Sequence, residues 1–416
     1  MKILILTQYF YPETNATAHR HGYFSKYLVE RGHEVTVICG TPNYPAGVIF
    51  PGYRNGLFNS KIENGVKVIR SWVWITPRKG FIDRILNYGS FFVSSLIVGL
   101  ATERPDVILV SSPPLPVAFS GFLISKIRRV PLVTEIRDIW PESAYAVGMA
   151  KKNVFFRLME RFETGVYRNS VKIIVNAEGI GRRLASGKNV PEGKISFIPN
   201  GADLDMFGKK SDTAEMDGKY GLAGKFVALY TGLIGLAQSP EIMIEAAKIL
   251  KKEIDVVFLI VGEGALKSKC EKLANDYGLQ NVIFAGGRPR EEMPAFTQRA
   301  DVAIIPYKNF ELFKDVIPSK MYDYLAAGKP MIINIDGEGA RIIRESQSGI
   351  VVPPEDPKEL ADALLKIKSD RKAADKMGEN GRKYARENYD KKKIAEKLNE
   401  LLVSANDLEE SETTGN

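Results

Sequence analysis

The sequence predicts an α/β protein with two doubly wound parallel sheets, one in each half of the chain. Three observations support this fold class. The 416 residues, 44% of them hydrophobic, are too many for one ordinary core and suggest two domains of about 200 residues. Short apolar runs alternate with amphipathic stretches, as in strand–helix–strand units. The alternation restarts after Pro199, which separates a first domain at 1–200 from a second domain at 201–380.

The first strand–helix–strand unit opens the chain. The apolar run from Lys2 to Leu6 predicts a buried strand, His21 to Arg31 predicts a helix, and Glu34 to Cys39 predicts the next strand. Gly32 stops the helix between them. Further strands of this half are predicted where β-branched runs are bounded by turn residues, at 66–71, 106–110, 131–135 and 172–175.

The second half repeats this organisation. Phe226 to Tyr230 predicts its first strand, and a helix is expected from Pro240 to Lys252. Later strands are expected at 256–261, 282–285, 302–305, 331–334 and 349–352. From Pro357 the pattern is helical almost to Val403, and the polar residues 406–416 predict a disordered tail.

Residues 81–101 have two interpretations. Asp83 and Arg84 interrupt the apolar run, and the uninterrupted part is shorter than the roughly 20 residues that cross a bilayer. The segment is either a buried helix of the first domain or, with Arg78 and Lys79 before it, a helix that lies in the membrane interface or positions a lipid-linked acceptor.

The composition restricts the partners and the compartment. A net charge of +8 suits nucleic acid, an anionic membrane surface or phosphorylated ligands. Nucleic acid is disfavoured because the basic residues are dispersed and no zinc-ligand spacing or RNA-binding aromatic signature is present. Cys39 and Cys270 match no disulfide or metal spacing, and Met1 to Leu6 resembles a strand more than a signal peptide. We expect a cytoplasmic protein, with peripheral contact to the inner membrane as the alternative.

Two glycine-bearing loops follow predicted strands of the second half. Gly232 and Gly235 come after the first strand, and Gly262 and Gly264 come after the second. Ligands of open parallel sheets bind at the carboxyl ends of the strands, where backbone amides can meet phosphates. Each loop is therefore either part of a diphosphate site or an ordinary tight turn.

A more specific pattern comes later, where Asp315 and Asp323 are separated by seven residues, with Lys320 between them and Gly328-Lys329-Pro330 after them. This segment resembles glycosyltransferase family 4, whose donor site carries two acids at this spacing ahead of a helix ending in Gly-x-Pro. With a helix starting near Pro318, Asp315 would face the donor sugar and Asp323 would accept hydrogen bonds from ribose hydroxyls. Lys320 and the Ser319 amide would reach the pyrophosphate.

The resemblance extends over nearly the whole chain. Residues 31–37 resemble the family's helix-to-strand turn, and 199–203 resemble its domain crossover. Residues 42–47 and 137–143 resemble the branch that builds bacterial surface polysaccharides with amino-sugar donors such as N-acetylfucosamine. The resemblance implies the GT-B architecture, with two Rossmann-like domains facing a central cleft and a helix at 381–405 packing back on the first domain.

The chain departs from the family at two places. Many members carry an arginine and a lysine where this chain has Leu233 and Gln238. Lys320, Arg288 and the amides of the glycine loops are then expected to supply the positive field that binds the phosphates. Alternatively, Arg288 would lie beside the base of the nucleotide. Gln238 stays a donor-site candidate. On the acceptor side, a histidine often precedes Asp138 in the family, and here the preceding residue is an arginine.

The acceptor side is expected in the first domain. The loop at 12–17 should face the cleft, which makes Asn15 and Arg20 candidate acceptor contacts. His19, Arg20 and His21 follow this loop and could contact either a phosphate or the acceptor. Asp138 would position the acceptor, and it is expected to act with Arg137 and Glu142.

No metal or cofactor is expected apart from a nucleotide-sugar co-substrate, which we expect to be linked to UDP. His19, His21 and His33 have no ligand spacing. Asp203 and Asp205 match the Asp-x-Asp metal pair of another glycosyltransferase fold, but they lie in the crossover.

The resemblance implies a retaining transfer of an N-acetylated amino sugar to a lipid-linked or saccharide acceptor in O-antigen or capsule synthesis. Two other functions suit the same residues. A nucleotide-sugar 2-epimerase shares the architecture but needs acid and base side chains beside the sugar. A non-catalytic nucleotide-sugar-binding subunit would use the donor site for binding alone.

Overall fold

The chain divides into two compact units. The computed structural model describes residues 1–78, 80–140, 142–143, 154–209 and 211–414. Lys79 and Pro141, which belong to segments discussed above, lie outside the described residues. Unit 1 comprises Met1–Pro199 together with Lys392–Asn416, and unit 2 comprises Asn200–Lys391.

Unit 1 is built on an eight-stranded sheet in the order β3-β4-β2-β1-β5-β6-β7-β8. Its neighbouring strands are parallel except β3 and β4, which are antiparallel. The strands are β1 Lys2–Leu6, β2 Glu34–Gly40, β3 Asn59–Glu63, β4 Val66–Ser71, β5 Val107–Ser112, β6 Leu132–Ile136, β7 Lys172–Val175 and β8 Ile195–Phe197. The six predicted strands are present to within two residues at each end. Only β3, a largely exposed edge strand, and the three-residue β8 had no prediction.

Among the described residues, the helices that follow these strands in unit 1 include α1 Ala16–Glu30, α2 Phe81–Ala101, α3 Leu115–Arg128, α4 Val154–Asn169 and α5 Glu178–Lys188. α1 begins five residues earlier than predicted because Asn15 caps it, its Oδ1 accepting from the Ala18 amide at 2.9 Å. By length and composition alone, Ile82–Ala101 of α2 could cross a membrane. About a quarter of this stretch, 28%, is buried inside the structure. Its inner side carries Phe91 and Val98 in the core of unit 1.

Unit 2 contains a six-stranded parallel sheet in the order β11-β10-β9-β12-β13-β14. Its strands are β9 Phe226–Thr231, β10 Val256–Val261, β11 Val282–Gly286, β12 Val302–Ile305, β13 Met331–Ile333 and β14 Gly349–Val351. All six were predicted. This is the strand order of the Rossmann fold, and the order reverses between β9 and β12.

The helices of unit 2 cover this sheet: α6 Leu204–Phe207, α7 Ala214–Tyr220, α8 Glu241–Ile249, α9 Lys267–Asp276, α10 Met293–Arg299, α11 Ser319–Ala327, α12 Glu338–Ser346, α13 Pro357–Ser369 and α14 Arg371–Asn388. α14 extends past residue 380, the predicted end of the second domain. The unit ends at Lys391 instead.

The last helix, α15 Lys391–Thr414, lies almost wholly in unit 1. Its Glu396 accepts from the Tyr27 hydroxyl at 2.6 Å, and Asn399 lies 2.7 Å from the His33 ring. The predicted disordered tail is wrong over residues 406–414, where the helix continues. No glycine or proline occurs between Lys391 and Thr414 to stop it.

Candidate functional site

The loops after β9, β10 and β11 are stacked through their backbones at the carboxyl end of the sheet of unit 2. The Gly232 amide donates to Val261 O at 2.8 Å, and the Ile234 amide donates to Glu263 O at 2.9 Å. A Cβ on Gly262 would lie 1.8 Å from Gly232 O. A Cβ on Gly264 would lie 2.2 Å from the carbonyl oxygen of Ile234. Both positions therefore require glycine, because a side chain would force the loops apart.

Lys320 on α11 reaches the first of these loops. Its Nζ lies 3.6 Å from the centre of the Tyr230 ring, and a Cβ on Gly232 would be 3.4 Å from this nitrogen. The Nζ is buried and has no hydrogen-bond partner among the described residues. Burial holds the pKa of Lys320 well below its usual value. An unpaired buried amine beside a glycine loop at the switch point of a Rossmann sheet is a site prepared for an anion.

The first turn of α11 adds backbone donors to this position. Pro318 precedes the helix and provides no side-chain cap. The Ser319 hydroxyl accepts from Asn200 Nδ2 at 3.1 Å. Because the amides at the start of a nine-residue helix carry partial positive charge, they reinforce the Lys320 amine.

Asp323, one turn further along α11, is paired with an arginine. Arg290 donates to both of its carboxylate oxygens, at 2.7 and 2.8 Å, and the guanidinium lies 4.8 Å from the centre of the Phe207 ring. Each oxygen keeps a lone pair for a ligand hydroxyl, so the predicted ribose contact is compatible with this ion pair. Sequence reasoning missed Arg290, which is separated from Asp323 by 33 positions.

A second residue that the motif did not reveal is Tyr324. Its hydroxyl accepts from the Thr231 amide at 3.0 Å and lies 2.9 Å from the Thr231 hydroxyl oxygen. This tyrosine fastens α11 to the end of β9, which fixes the position of Lys320 relative to the glycine loop.

The remaining donor-side candidates occupy different places around these loops. Asp315 ends a 3-10 helix at Glu311–Asp315, ahead of α11 as predicted, and is half-buried. Gln238 ends another short 3-10 helix, and its buried Oε1 would be 2.9 Å from a Cβ on Gly235. Arg288 is expected to supply part of the positive field, and the two partners of its guanidinium are uncharged. Its guanidinium is bound to the hydroxyl of Tyr220 at 2.9 Å and to a backbone carbonyl at 3.0 Å.

Asp138 and Arg137 follow β6 at the carboxyl end of the sheet of unit 1. The Arg137 amide donates to Ser112 O, at the end of β5, at 2.8 Å. Its Nη1 is buried and has no hydrogen-bond partner among the described residues, and burial lowers the pKa of this guanidinium to about 10. Burial raises the pKa of Asp138 to about 6, opposed by hydrogen bonds from Ser143 and the Ile139 amide. Burial thus shifts the pKa values of two residues that are adjacent in the sequence, and such perturbed groups are common at functional sites.

Arg20 is not placed where an acceptor contact was predicted. Its side chain is 1% exposed and donates to Glu135 at 2.5 Å and to Ile198 O at 2.9 Å. His21 Nε2 lies 3.1 Å from the same carboxylate. Burial raises the pKa of Glu135, but the charges of Arg20, His21 and Arg137 hold it well below its usual value. Arg20 is therefore an interior residue that ties α1 to β6 and to the end of unit 1.

The other acceptor-side candidates have local roles as well. Asn15 caps α1, and its Nδ2 is buried without a hydrogen-bond partner among the described residues. Glu142 pairs with Lys188 at 2.5 Å, and the same lysine pairs with Glu163 at 2.8 Å. Asn15 keeps a free donor for a ligand, whereas Glu142 is part of a charge network.

Asp203, the first acid of the Asp-x-Asp sequence in the crossover, has a structural role. Asp203 caps α6 by accepting from the Met206 amide at 3.0 Å, and its other oxygen lies 3.6 Å from Lys391 Nζ. Across the described ranges, no group of three or more His, Cys, Asp and Glu side chains is arranged to hold a metal ion.

Comparison with known proteins identifies the family. Residues 18–201 match the model of the glycosyl transferase 4-like domain, and residues 212–384 match that of the glycosyl transferases group 1. The chain belongs to the glycosyltransferases. The second match contains the glycine loops, Lys320 and Asp323, so the anion site described above lies in the group 1 domain of this transferase.

Two relatives illustrate how far the sequence similarity extends. The transferase is 29% identical over 345 residues to the colanic acid biosynthesis glycosyl transferase WcaI of Escherichia coli (strain K12), covering 81% of this chain and 84% of WcaI. It is 27% identical over 217 residues to a GDP-mannose-dependent alpha-(1-6)-phosphatidylinositol monomannoside mannosyltransferase of Mycolicibacterium smegmatis, covering 51% and 57% of the two chains.

Among solved structures, Anabaena HepE in complex with UDP and glucose superposes with a TM-score of 0.73 at 16% identity, covering 97% of this chain and all of HepE. At this identity the similarity concerns the fold, and it confirms the GT-B class with two Rossmann-like domains.

Proposed function

We propose that this glycosyltransferase transfers a sugar from a nucleoside diphosphate sugar and that unit 2 holds the donor. The observation that carries the proposal is the buried, unpaired Lys320 amine beside Gly232 and the first turn of α11. A diphosphate would supply the counter-charge that this amine lacks. Negative charge grows on the departing phosphate in the transition state, so a cation already in place lowers the barrier without reorganisation.

The other residues of unit 2 complete the donor site in this proposal. The loop amides and Ser319 bind phosphate oxygens, Asp323 and its partner Arg290 bind the ribose, and Asp315 holds hydroxyls of the sugar. In unit 1, Asp138 and Arg137 position the acceptor, and the leaving phosphate takes the acceptor proton. The transfer retains the anomeric configuration and proceeds without metal.

The donor and the acceptor are proposed in more detail from the relatives. The name of WcaI refers to the biosynthesis of colanic acid, and the relative from Mycolicibacterium smegmatis is named as a phosphatidylinositol monomannoside mannosyltransferase. We propose that this chain extends a lipid-linked saccharide for surface polysaccharide, at the cytoplasmic face of the inner membrane. The motifs at 42–47 and 137–143 favour an N-acetylated amino sugar. We propose UDP as its carrier, which is the nucleotide present in the HepE complex.

The test is turnover by the purified chain with a panel of UDP- and GDP-linked sugars and lipid-linked acceptors, with a chelator present. We expect a UDP-sugar to be consumed, with an α-linked donor giving an α-linked product by NMR. Asp315→Asn should lower kcat, whereas Asp276→Asn on the surface of α9 should not. If no nucleotide sugar is bound or consumed, the proposal is wrong. Donor binding without product would favour the non-catalytic subunit.

A further inference from the structure

The exposed apolar surface of this protein is concentrated in one segment. Of the 20 large hydrophobic side chains that are exposed among the described residues, 12 lie between Val48 and Ile97. Scattered single apolar residues are normal on protein surfaces, but a cluster of this size marks a contact with another phase or another protein.

α2 carries five of these exposed side chains. Ile82, Ile85, Leu86, Val93 and Ile97, here called the α2 stripe, recur at helical spacing and are between 40% and 72% exposed. The opposite side of the helix, with Phe91 and Val98, is buried in unit 1. A helix that is apolar on both sides is normally enclosed on both sides. Within unit 1, the outer side of α2 faces solvent.

Two tryptophans lie beside the α2 stripe. Ser94 Oγ donates to Trp72 O at 2.6 Å, and the Trp74 amide donates to Ser90 Oγ at 2.8 Å, so the segment after β4 is fastened along α2. Their side chains are 39% and 43% exposed. Tryptophan favours the boundary between hydrocarbon and water because its ring is apolar and its N–H is polar.

The segment that carries these side chains has a positive net charge. Residues 48–97 include seven basic and two acidic residues, which gives +5 of the chain's net +8. Of the two acids, Glu63 lies 3.4 Å from the buried Arg70. Exposed Arg78 and Arg84 flank the start of α2. An excess of basic residues next to exposed apolar side chains fits anionic lipid headgroups and opposes association with a second copy of the same surface.

We infer that the α2 stripe, together with Trp72 and Trp74, docks on the surface of an anionic lipid bilayer. α2 lies in the plane of the membrane with its outer side among the acyl chains, since its inner side is committed to the core of unit 1. The helix is about 31 Å long, so it forms an elongated contact.

This orientation places the acceptor end of unit 1 at the headgroups. Asn87 on α2 accepts from Gln8 Nε2 at 2.6 Å, and Gln8 belongs to the loop after β1 at the switch point of the sheet. A membrane-bound α2 therefore holds that loop beside the bilayer, where a lipid-linked saccharide presents its sugar. The inference rests on the proposed function for the identity of the acceptor, but membrane binding itself needs no catalysis.

Vesicle flotation of the full chain tests the inference without donor or acceptor. We expect binding to phosphatidylcholine vesicles containing phosphatidylglycerol, and at least about tenfold weaker binding to phosphatidylcholine alone. The triple variant Ile82→Ser/Val93→Ser/Ile97→Ser should bind at least about tenfold more weakly. The matched control Ile249→Ser/Ile254→Ser, at exposed apolar positions of unit 2, should bind as the wild type does.

Tryptophan emission gives a second readout. Anionic vesicles should shift the emission to the blue in the wild type but not in Trp72→Phe/Trp74→Phe, which leaves Trp140 as the reporter. Equal vesicle binding by the triple variant, or no binding by the wild type, overturns the inference. The inference is also overturned if light scattering detects a dimer of the wild type that the triple substitution dissociates, and the wild type does not bind vesicles. Because nucleotide stabilisation is measured separately, a failure of membrane binding and a failure of the donor site are distinguishable.

Discussion

Replacing Lys320 by methionine separates two effects that usually coincide, the stability of the empty protein and the binding of the donor. The Nζ of Lys320 is buried and lacks a hydrogen bond among the described residues. An unsatisfied buried polar group costs about 1–3 kcal/mol, and the contact with the Tyr230 ring returns about 0.5–2 kcal/mol. Lys320→Met should therefore stabilise the empty protein by about 1 kcal/mol, raising the melting temperature by about 2–4 °C for a domain of this size.

The pH dependence of this gain follows from the lowered pKa of Lys320. In the unfolded chain the amine keeps its usual pKa of 10.5, so between the two pKa values the unfolded chain binds more protons. The cost of burying the cation is fully present below the folded pKa and disappears as the pH rises to 10.5. The advantage of Lys320→Met should be largest below the folded pKa of Lys320 and shrink as the pH rises toward 10.5.

Lys320→Met should weaken donor binding, although it stabilises the empty protein. At 100 times its Kd, UDP should stabilise the wild type by about 2.7 kcal/mol. Losing a charged hydrogen bond of about 1.5–3 kcal/mol raises Kd about 10- to 150-fold, which leaves about 0.3–1.4 kcal/mol of stabilisation at the same concentration.

Thermal unfolding monitored by fluorescence, with and without UDP at pH 6, 7.5 and 9.5, measures both quantities. The control is Lys376→Met, at a position whose side chain is 69% exposed. If Lys320→Met destabilises the empty protein and leaves the UDP shift intact, the reasoning about this site is wrong.

Two further substitutions test the packing of the glycine loops in unit 2 and of the interior of unit 1. Gly262→Ala should prevent nucleotide stabilisation, because its Cβ would collide with Gly232 O, whereas Gly218→Ala, with open space around its Cβ, should leave binding unchanged in the same thermal assay. Arg20→Met removes one half of a buried ion pair and should lower the free energy of unfolding in urea by about 3–5 kcal/mol. A loss below about 1 kcal/mol together with a raised KM for the acceptor would instead support the predicted acceptor role.

The strands were predictable because parallel sheets bury both of their faces. β10, for example, is a run of six buried apolar residues, Val256–Val261, and it stands out in the sequence. β3 did not stand out because four of its five residues are exposed at the edge of the sheet. The spacing of Asp315, Lys320 and Asp323 was informative because one short segment carries all three side chains.

The partners of those side chains were not predictable, because they come from distant parts of the chain. Nothing local connects Arg290 with Asp323 or Tyr324 with Thr231. The sequence places Arg20 near the first loop, but only the rotation of α1 decides that its guanidinium points inward to Glu135. The position of Arg288 beside the loops was expected, but its hydrogen bond to Tyr220 was not.

The placement of α15 sets the order in which the protein can be completed during synthesis. Unit 1 contains Met1–Pro199 and also Lys392–Asn416, so its missing piece is translated after the whole of unit 2. Leu398, Leu402 and Ala405 of α15 are buried. At about 5–20 residues per second, the ribosome needs roughly 10–45 s to add the chain that follows Pro199. During that interval the apolar surface of unit 1 that α15 later covers is exposed. Unit 2 is continuous in the sequence and can fold as soon as it emerges from the ribosome.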